Sequence, residues 1–168
     1  VDEEGRSTSW YCKKKHCLIC SRMRTAQKIE KYLPILRTFE SPQLVTLNRK
    51  NVELHELRSE ALALIKTMQK VLKRLKYLKV DVKGFRTFEC TYNERTKEFN
   101  LHFHLVVDTL EGAIVLRNEW LSINRKEGYT IDEKAQDIRP IGTNVKDMLE
   151  VCKYSTKVLN IDPKKKSK

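Results

Sequence analysis

Two segments rich in aromatic and β-branched residues, GFRTFECTYN (84–93) and FNLHFHLVV (99–107), flank the polar run ERTKE. That pattern predicts an antiparallel β-hairpin, and a hairpin fixes which side chains share a face. In a strand, residues i and i+2 point the same way. His102 and His104 therefore project together, with Phe103 and Leu105 on the opposite side. If Tyr92 pairs with Phe99, Glu89 lies opposite His102 and Thr87 opposite His104. A register shifted by two puts Glu89 opposite His104 instead. In either register Glu89 shares the histidine face, because side-chain direction has period two. A carboxylate in a strand otherwise made of Phe, Cys and Thr calls for a partner or an ion. Two imidazoles and one carboxylate suit Mg²⁺ or Mn²⁺ with open coordination positions. Glu89, His102 and His104 are the expected ligands.

The rest of the chain supplies layers for this hairpin. Residues 21–37 are expected to be helical, with Pro34 near the end, and Ser41-Pro42 marks a break. QLVTLN (43–48) reads as a short strand. Over 51–79, Leu57, Ala61, Leu64, Ile65, Met68, Val71, Leu72, Leu75 and Leu78 recur at three- and four-residue steps. They predict one long amphipathic helix with a solvated Lys/Arg-rich face. A helix over 111–125, a strand over 135–141 and a last helix over 143–160, capped by Thr143 or Asn144, complete the order. The expected fold is α+β: a central antiparallel sheet flanked by helices.

With Cys152 at zero on the last helix, Met148, Leu159 and Val145 fall within ~60° and form the expected core stripe. Tyr154 falls at about 200°, Glu150 at about 160° and Lys157 at about 140°. These three thus cluster away from the core. A phenol of pKa about 10 needs help to become a nucleophile. Lys157 would stabilise the phenolate or a phosphate, and Glu150 would take a proton.

The N-terminal run YCKKKHCLIC places Cys12, Cys17 and Cys20 close together, with His16 between them. Soft thiolates at this spacing suit a structural zinc ion, His16 being the nearest fourth ligand. Five cysteines, three of them clustered, fit reduced thiols and a cytoplasmic setting rather than a disulfide framework. Lys and Arg number 34 against 22 Asp and Glu, a formal charge of +12, which predicts a polyanionic partner. Lys13, Lys14, Lys15, Arg22 and Arg24 are the expected phosphate contacts. No apolar run approaches the ~18–20 residues of a membrane span, and the polar start VDEEGRSTSW has no signal-peptide character.

Taken in order, CKKKHCLIC, QLVTLNRKNV, GFRTFECTYNERTKEFNLHFHLVV and EVCKYSTK resemble the motifs of rolling-circle plasmid replication initiators, single-tyrosine members of the HUH endonuclease superfamily. Asn100-Leu101 stand where the family often has His-Pro. The resemblance implies a central sheet carrying a metal site. It also implies an enzyme that nicks and rejoins DNA at a plasmid origin through a 5′-phosphotyrosine on Tyr154, leaving a 3′-hydroxyl primer. Lys153 and Lys157 match the two lysines of the tyrosine motif, and Glu150 occupies the place of a water-activating glutamate. DNA, a host helicase and a polymerase would be the partners. The implied organisation is a Cys-rich segment and helix over 1–40, a nuclease core over 41–160 and a disordered basic tail over 161–168. The competing expectations are a non-catalytic zinc-containing DNA-binding module and a transposase or relaxase relative.

Overall fold

The computed structural model describes residues 12–14 and 17–156, the side chains of residues 150 and 153–156 excepted. Its elements are α1 (Leu18–Leu36), β1 (Gln43–Asn48), α2 (Leu57–Tyr77), β2 (Gly84–Asn93), β3 (Glu98–Val107), α3 (Leu110–Lys126), a 3-10 turn (Glu133–Ala135), β4 (Asp137–Pro140) and α4 (Val145–Thr156). The four strands form one sheet in the order β2-β3-β1-β4, and every pairing is antiparallel. This is the α+β architecture expected from the sequence.

Alternation splits the sheet into two unlike faces. On one, Val45, Leu47, Leu101, Phe103, Leu105 and Val107 pack against Leu64, Met68, Val71 and Leu75 of α2 and Ala113, Leu116 and Trp120 of α3. On the other, Leu44 and Val106 join Leu33 and Leu36 of α1 and Met148, Val151 and Cys152 of α4. That second core covers only one end of its face. The neighbouring positions are polar: Thr46, His104, His102 and Glu89. At the start of β2, a Cβ on Gly84 would collide with the Val106 carbonyl oxygen, so the close approach of β2 to β3 there requires glycine.

Two boundaries and one buried stripe differ from expectation. The long helix starts at Leu57 rather than 51. The backbone N–H and C=O of Val52 are taken by Phe99, at 2.9 and 2.8 Å, in an isolated antiparallel bridge, so they cannot serve a helix. The last strand is confined to 137–140, because Glu133–Ala135 close a 3-10 turn. In α4, capped by Asn144 Oδ1 accepting from the Asp147 N–H at 3.0 Å, Val145 is exposed and Val151 is buried instead. The helix lies against α1 and the sheet together, which turns the buried stripe by about 50° at 100° per residue. Leu159 lies outside the described residues. Cys90, on β2, is exposed.

Arg49, immediately after β1, is buried on the α2/α3 side, 7% exposed. Its Nε donates to Asn124 Oδ1 and its Nη2 to Thr67 Oγ1, each at 2.6 Å. Thr67 in turn donates to Glu127 Oε2 at 2.6 Å. The guanidinium lies 3.4 Å from the Tyr129 ring centroid. This cluster ties the end of β1 to α2 and α3.

Candidate metal centre

The hairpin adopts the register in which Tyr92 faces Phe99, Glu89 faces His102 and Thr87 faces His104. A four-residue turn, 94–97, sets that register. Asn93 Oδ1 accepts from the Arg95 and Thr96 N–H groups, and Lys97 closes the turn at φ +60°. The three side chains expected as ligands meet as a result. Glu89 Oε2 lies 3.3 Å from His102 Nε2 and 3.4 Å from His104 Nε2. The imidazole rings are edge-on, 4.7 Å between centroids. All three residues are buried, with exposures of 8%, 8% and 7%.

The other ring nitrogens are occupied. His104 Nδ1 is 3.1 Å from Thr46 Oγ1, and His102 Nδ1 is 3.3 Å from the Asn100 carbonyl oxygen. Bonding at Nδ1 turns both Nε2 atoms toward the carboxylate, the arrangement found around metal-binding histidines. Two imidazole nitrogens and a carboxylate oxygen within 4.8 Å of one another could hold one ion. The Thr87 hydroxyl, in the same cross-strand row as His104 and Thr46, is buried with no hydrogen-bond partner. A polar atom orphaned beside this donor set fits an ion with its own bound water.

A second cluster lies at the start of α1. The Cys12 and Cys20 sulfurs are 3.5 Å apart, and the Cys17 sulfur falls within the same 4.8 Å group. Cys17 is the N-cap of α1. The Cys20 backbone N–H, followed by the Cys12 and Cys20 thiols, brings its pKa down to about 7. Thiolate character at a helix N-terminus favours a soft cation. His16, the expected fourth ligand, lies outside the described residues, as does Lys15. Lys13, Lys14 and Arg22 are exposed, and Arg24 reaches the Lys14 carbonyl oxygen at 3.3 Å. The α4 backbone runs through positions 150, 153 and 154. The side chains of Glu150, Lys153 and Tyr154 lie outside the described set, and so do Lys157 and the tail 161–168.

A model of the family described as "Replication protein" matches residues 6–167, nearly the whole chain. The chain belongs to that family. It is a plasmid replication initiator of the Rep type. A curated relative, "Protein rep" of Staphylococcus aureus, is 29% identical over 160 residues, covering 87% of this chain and 69% of its own. No solved structure matches the initiator. Among the described residues no helix is long and apolar enough to cross a membrane.

Sequence reasoning missed two residues around the site, Thr46 and Thr87, and also the buried Arg49 on the other face of the sheet. The strand QLVTLN was legible, but its partner strand was not, so nothing placed Thr46 beside His104, 58 residues away. Thr87 could have been found, since the expected hairpin register already set it opposite His104.

Proposed function

We propose that this initiator nicks and rejoins one strand of plasmid origin DNA through a covalent Tyr154–DNA intermediate. The observation that carries the reading is the meeting of Glu89, His102 and His104 in one buried cluster beside the Thr87 hydroxyl. A divalent ion such as Mg²⁺ or Mn²⁺ held there would polarise a phosphodiester. Tyr154, four residues beyond Glu150 on α4, supplies the nucleophile. Its oxygen attacks phosphorus and the bond from phosphorus to the 3′ oxygen breaks. The phenol proton passes to Glu150 or to water, and the leaving 3′ oxygen takes up a proton. The products are a 5′-phosphotyrosine and a 3′-hydroxyl that primes synthesis. Attack of a 3′-hydroxyl on the phosphotyrosine reverses these steps and reseals the strand. Lys153 and Lys157 neutralise charge at the phosphate, and Glu150 activates water when the cycle ends.

The cysteine cluster holds a structural zinc ion in this reading, and Lys13, Lys14, Lys15, Arg22 and Arg24 contact phosphates near it. The segment 1–40 packs on a nuclease core of 41–160, followed by a basic tail. The initiator works in the bacterial cytoplasm with a host helicase and polymerase, which unwind the duplex and extend the primer.

The test is incubation with labelled single-stranded origin oligonucleotides and Mn²⁺, followed by a denaturing gel. Wild type should form a protein–DNA adduct, lost in Tyr154→Phe, in His102→Ala and in EDTA. DNA binding with no adduct across a set of plasmid-origin hairpins would instead make the chain a non-catalytic DNA-binding module. An adduct that survives Tyr154→Phe would refute the assigned nucleophile.

A further inference from the structure

The second half of α2 carries a charge that the candidate site does not use. Between residues 61 and 79 there are six cations, Lys66, Lys70, Lys73, Arg74, Lys76 and Lys79, and no Asp or Glu. All six are exposed. At 100° per residue, Lys66, Lys70, Lys73 and Tyr77 fall within about 60° of one another, and Arg74 and Lys76 flank them. The buried residues Leu64, Met68, Val71 and Leu75 lie on the opposite side, against the sheet. Two carboxylates approach this surface. Glu127 pairs with Lys70, and Asp81 lies 3.9 Å from Lys83. Lys66, Lys73 and Lys76 have no ion-pair partner among the described residues.

The location matters as much as the charge. This face of α2 points away from the sheet, whereas Glu89, His102 and His104 project from the sheet's other side. A helix is about 10–12 Å across with its side chains, so a few nucleotides threaded through the metal site cannot also lie on α2. Three partners could meet a basic helix, and the packing separates them. An interfacial membrane helix must free its apolar stripe for lipid, but here that stripe is the core. A single-strand platform needs several exposed rings for base stacking. Tyr77 is the only aromatic in the 61–79 stretch, and its ring lies 5.4 Å from the Arg74 guanidinium. What remains is a stripe of charges along about 16 Å of helix axis, at ~1.5 Å per residue. It is suited to the phosphates of a duplex, which carries one charge per ~1.7 Å.

We infer that the outer face of α2 is a second nucleic-acid surface, one that holds double-stranded DNA by its phosphates while the opposite side of the sheet handles the strand to be cut. The inference rests on the nicking reading only for what the other side does.

The experiment uses the full chain and a triple variant, Lys66→Gln/Lys73→Gln/Lys76→Gln. Binding to a fluorescein-labelled 30-base-pair duplex of mixed sequence is followed by anisotropy between 50 and 300 mM salt. Each lost phosphate contact lowers the slope of log affinity against log salt by about 0.9, so the triple variant should lose roughly 2–3 from the slope. Its thermal unfolding should match wild type. Its adduct yield on a 12-nucleotide single strand with Mn²⁺ should also match, since that substrate does not reach α2. An unchanged duplex slope overturns the inference. So does a variant that keeps duplex affinity but no longer binds phosphatidylserine vesicles. If no adduct forms with wild type, the nicking reading fails, and the slope comparison still decides the role of α2.

Discussion

Replacing Arg49 with alanine tests whether the buried cluster behind β1 holds that strand in place. The substitution removes two charge-assisted hydrogen bonds of 2.6 Å, to Asn124 and Thr67, each worth about 1.5–3 kcal/mol. It also removes the stack on Tyr129, worth ~1 kcal/mol or more. Against this gross loss of roughly 4–7 kcal/mol stands the cost of burying the guanidinium, which the variant no longer bears. That cost is visible in the Arg49 pKa, which burial lowers although Tyr129, Glu60 and Glu127 oppose the change. The ion pairs to Glu127 at 3.6 Å and Glu60 at 3.8 Å add little, since both carboxylates reach solvent. The net expectation is a loss of about 3–4 kcal/mol, a large part of the ~5–15 kcal/mol typical of a folded domain. In urea unfolding followed by far-UV circular dichroism, a slope of about 2 kcal/mol per molar converts this to a midpoint lowered by ~1.5–2 M. Arg49→Met should be nearly as damaging, because the buried Asn124 Oδ1 loses its donor in either case. Arg49→Met/Asn124→Leu should recover part of the loss, because the double variant leaves no buried acceptor without its donor. A midpoint shift worth under about 1 kcal/mol, or a double variant no better than the single, would refute the anchoring role.

Further outcomes follow from the site. Thr46→Val keeps the shape of β1 but removes the hydroxyl beside His104 Nδ1, and should weaken Mn²⁺ binding, measured by calorimetry, about 10–100-fold; Thr46→Ser should restore most of it. Burial raises the Glu127 carboxyl, but the hydrogen bonds from Lys70 and Thr67 and the charges of Lys70 and Arg49 outweigh it and hold the pKa below its ordinary value. A depressed carboxylate stabilises the fold above its unfolded pKa and loses that contribution as pH falls through the folded one. Melting temperature should therefore drop between pH 5 and 3 (about the carboxylate range), and less steeply in Glu127→Gln. Purified protein should carry about one zinc per chain by elemental analysis, and Cys17→Ser should lower that stoichiometry; full zinc content in the variant would exclude Cys17 as a ligand.

The metal row was legible because its geometry is local. Glu89 and His104 are fifteen positions apart, and a hairpin needs only the period-two rule and a turn to bring them together. Contacts made between distant elements follow no local period. Thr46 reaches His104 through the pairing of β1 with β3, and Arg49 reaches Asn124 and Glu127 through the packing of α3 on α2. Neither partner is visible in the strand or helix that carries the residue. The start of α2 was misjudged for a related reason: the apolar repeat begins at Leu57, and only the bridge to Phe99 shows that Val52 belongs with the sheet. On α4 the stripe was assigned from one end of the helix. Val145 fits the period but is exposed, whereas Val151 is buried with Leu33 and Leu36 of α1. The basic side of α2 was plain in the sequence as a solvated face, and its place across the sheet from the metal row gives it a different meaning.

The turn at 94–97 bears none of the proposed ligands, yet its length decides whether they meet. Antiparallel pairing adds the positions of facing residues to a constant, which is 191 for this hairpin. If the hairpin keeps a four-residue turn, one residue inserted between the glutamate and the first histidine leaves the sum at 191 while that histidine becomes residue 103, and Cys90 would then share the histidine side while Glu89 moved among the core side chains. Two residues inserted would restore the parity, leaving Glu89 on the histidine side but out of line with the same ring. Length variation in this loop is therefore constrained by arithmetic rather than by the loop's own chemistry. Among chains that keep the four-residue turn, the number of residues between the glutamate and the first histidine should stay even, as the twelve here do, even where the turn sequence drifts freely.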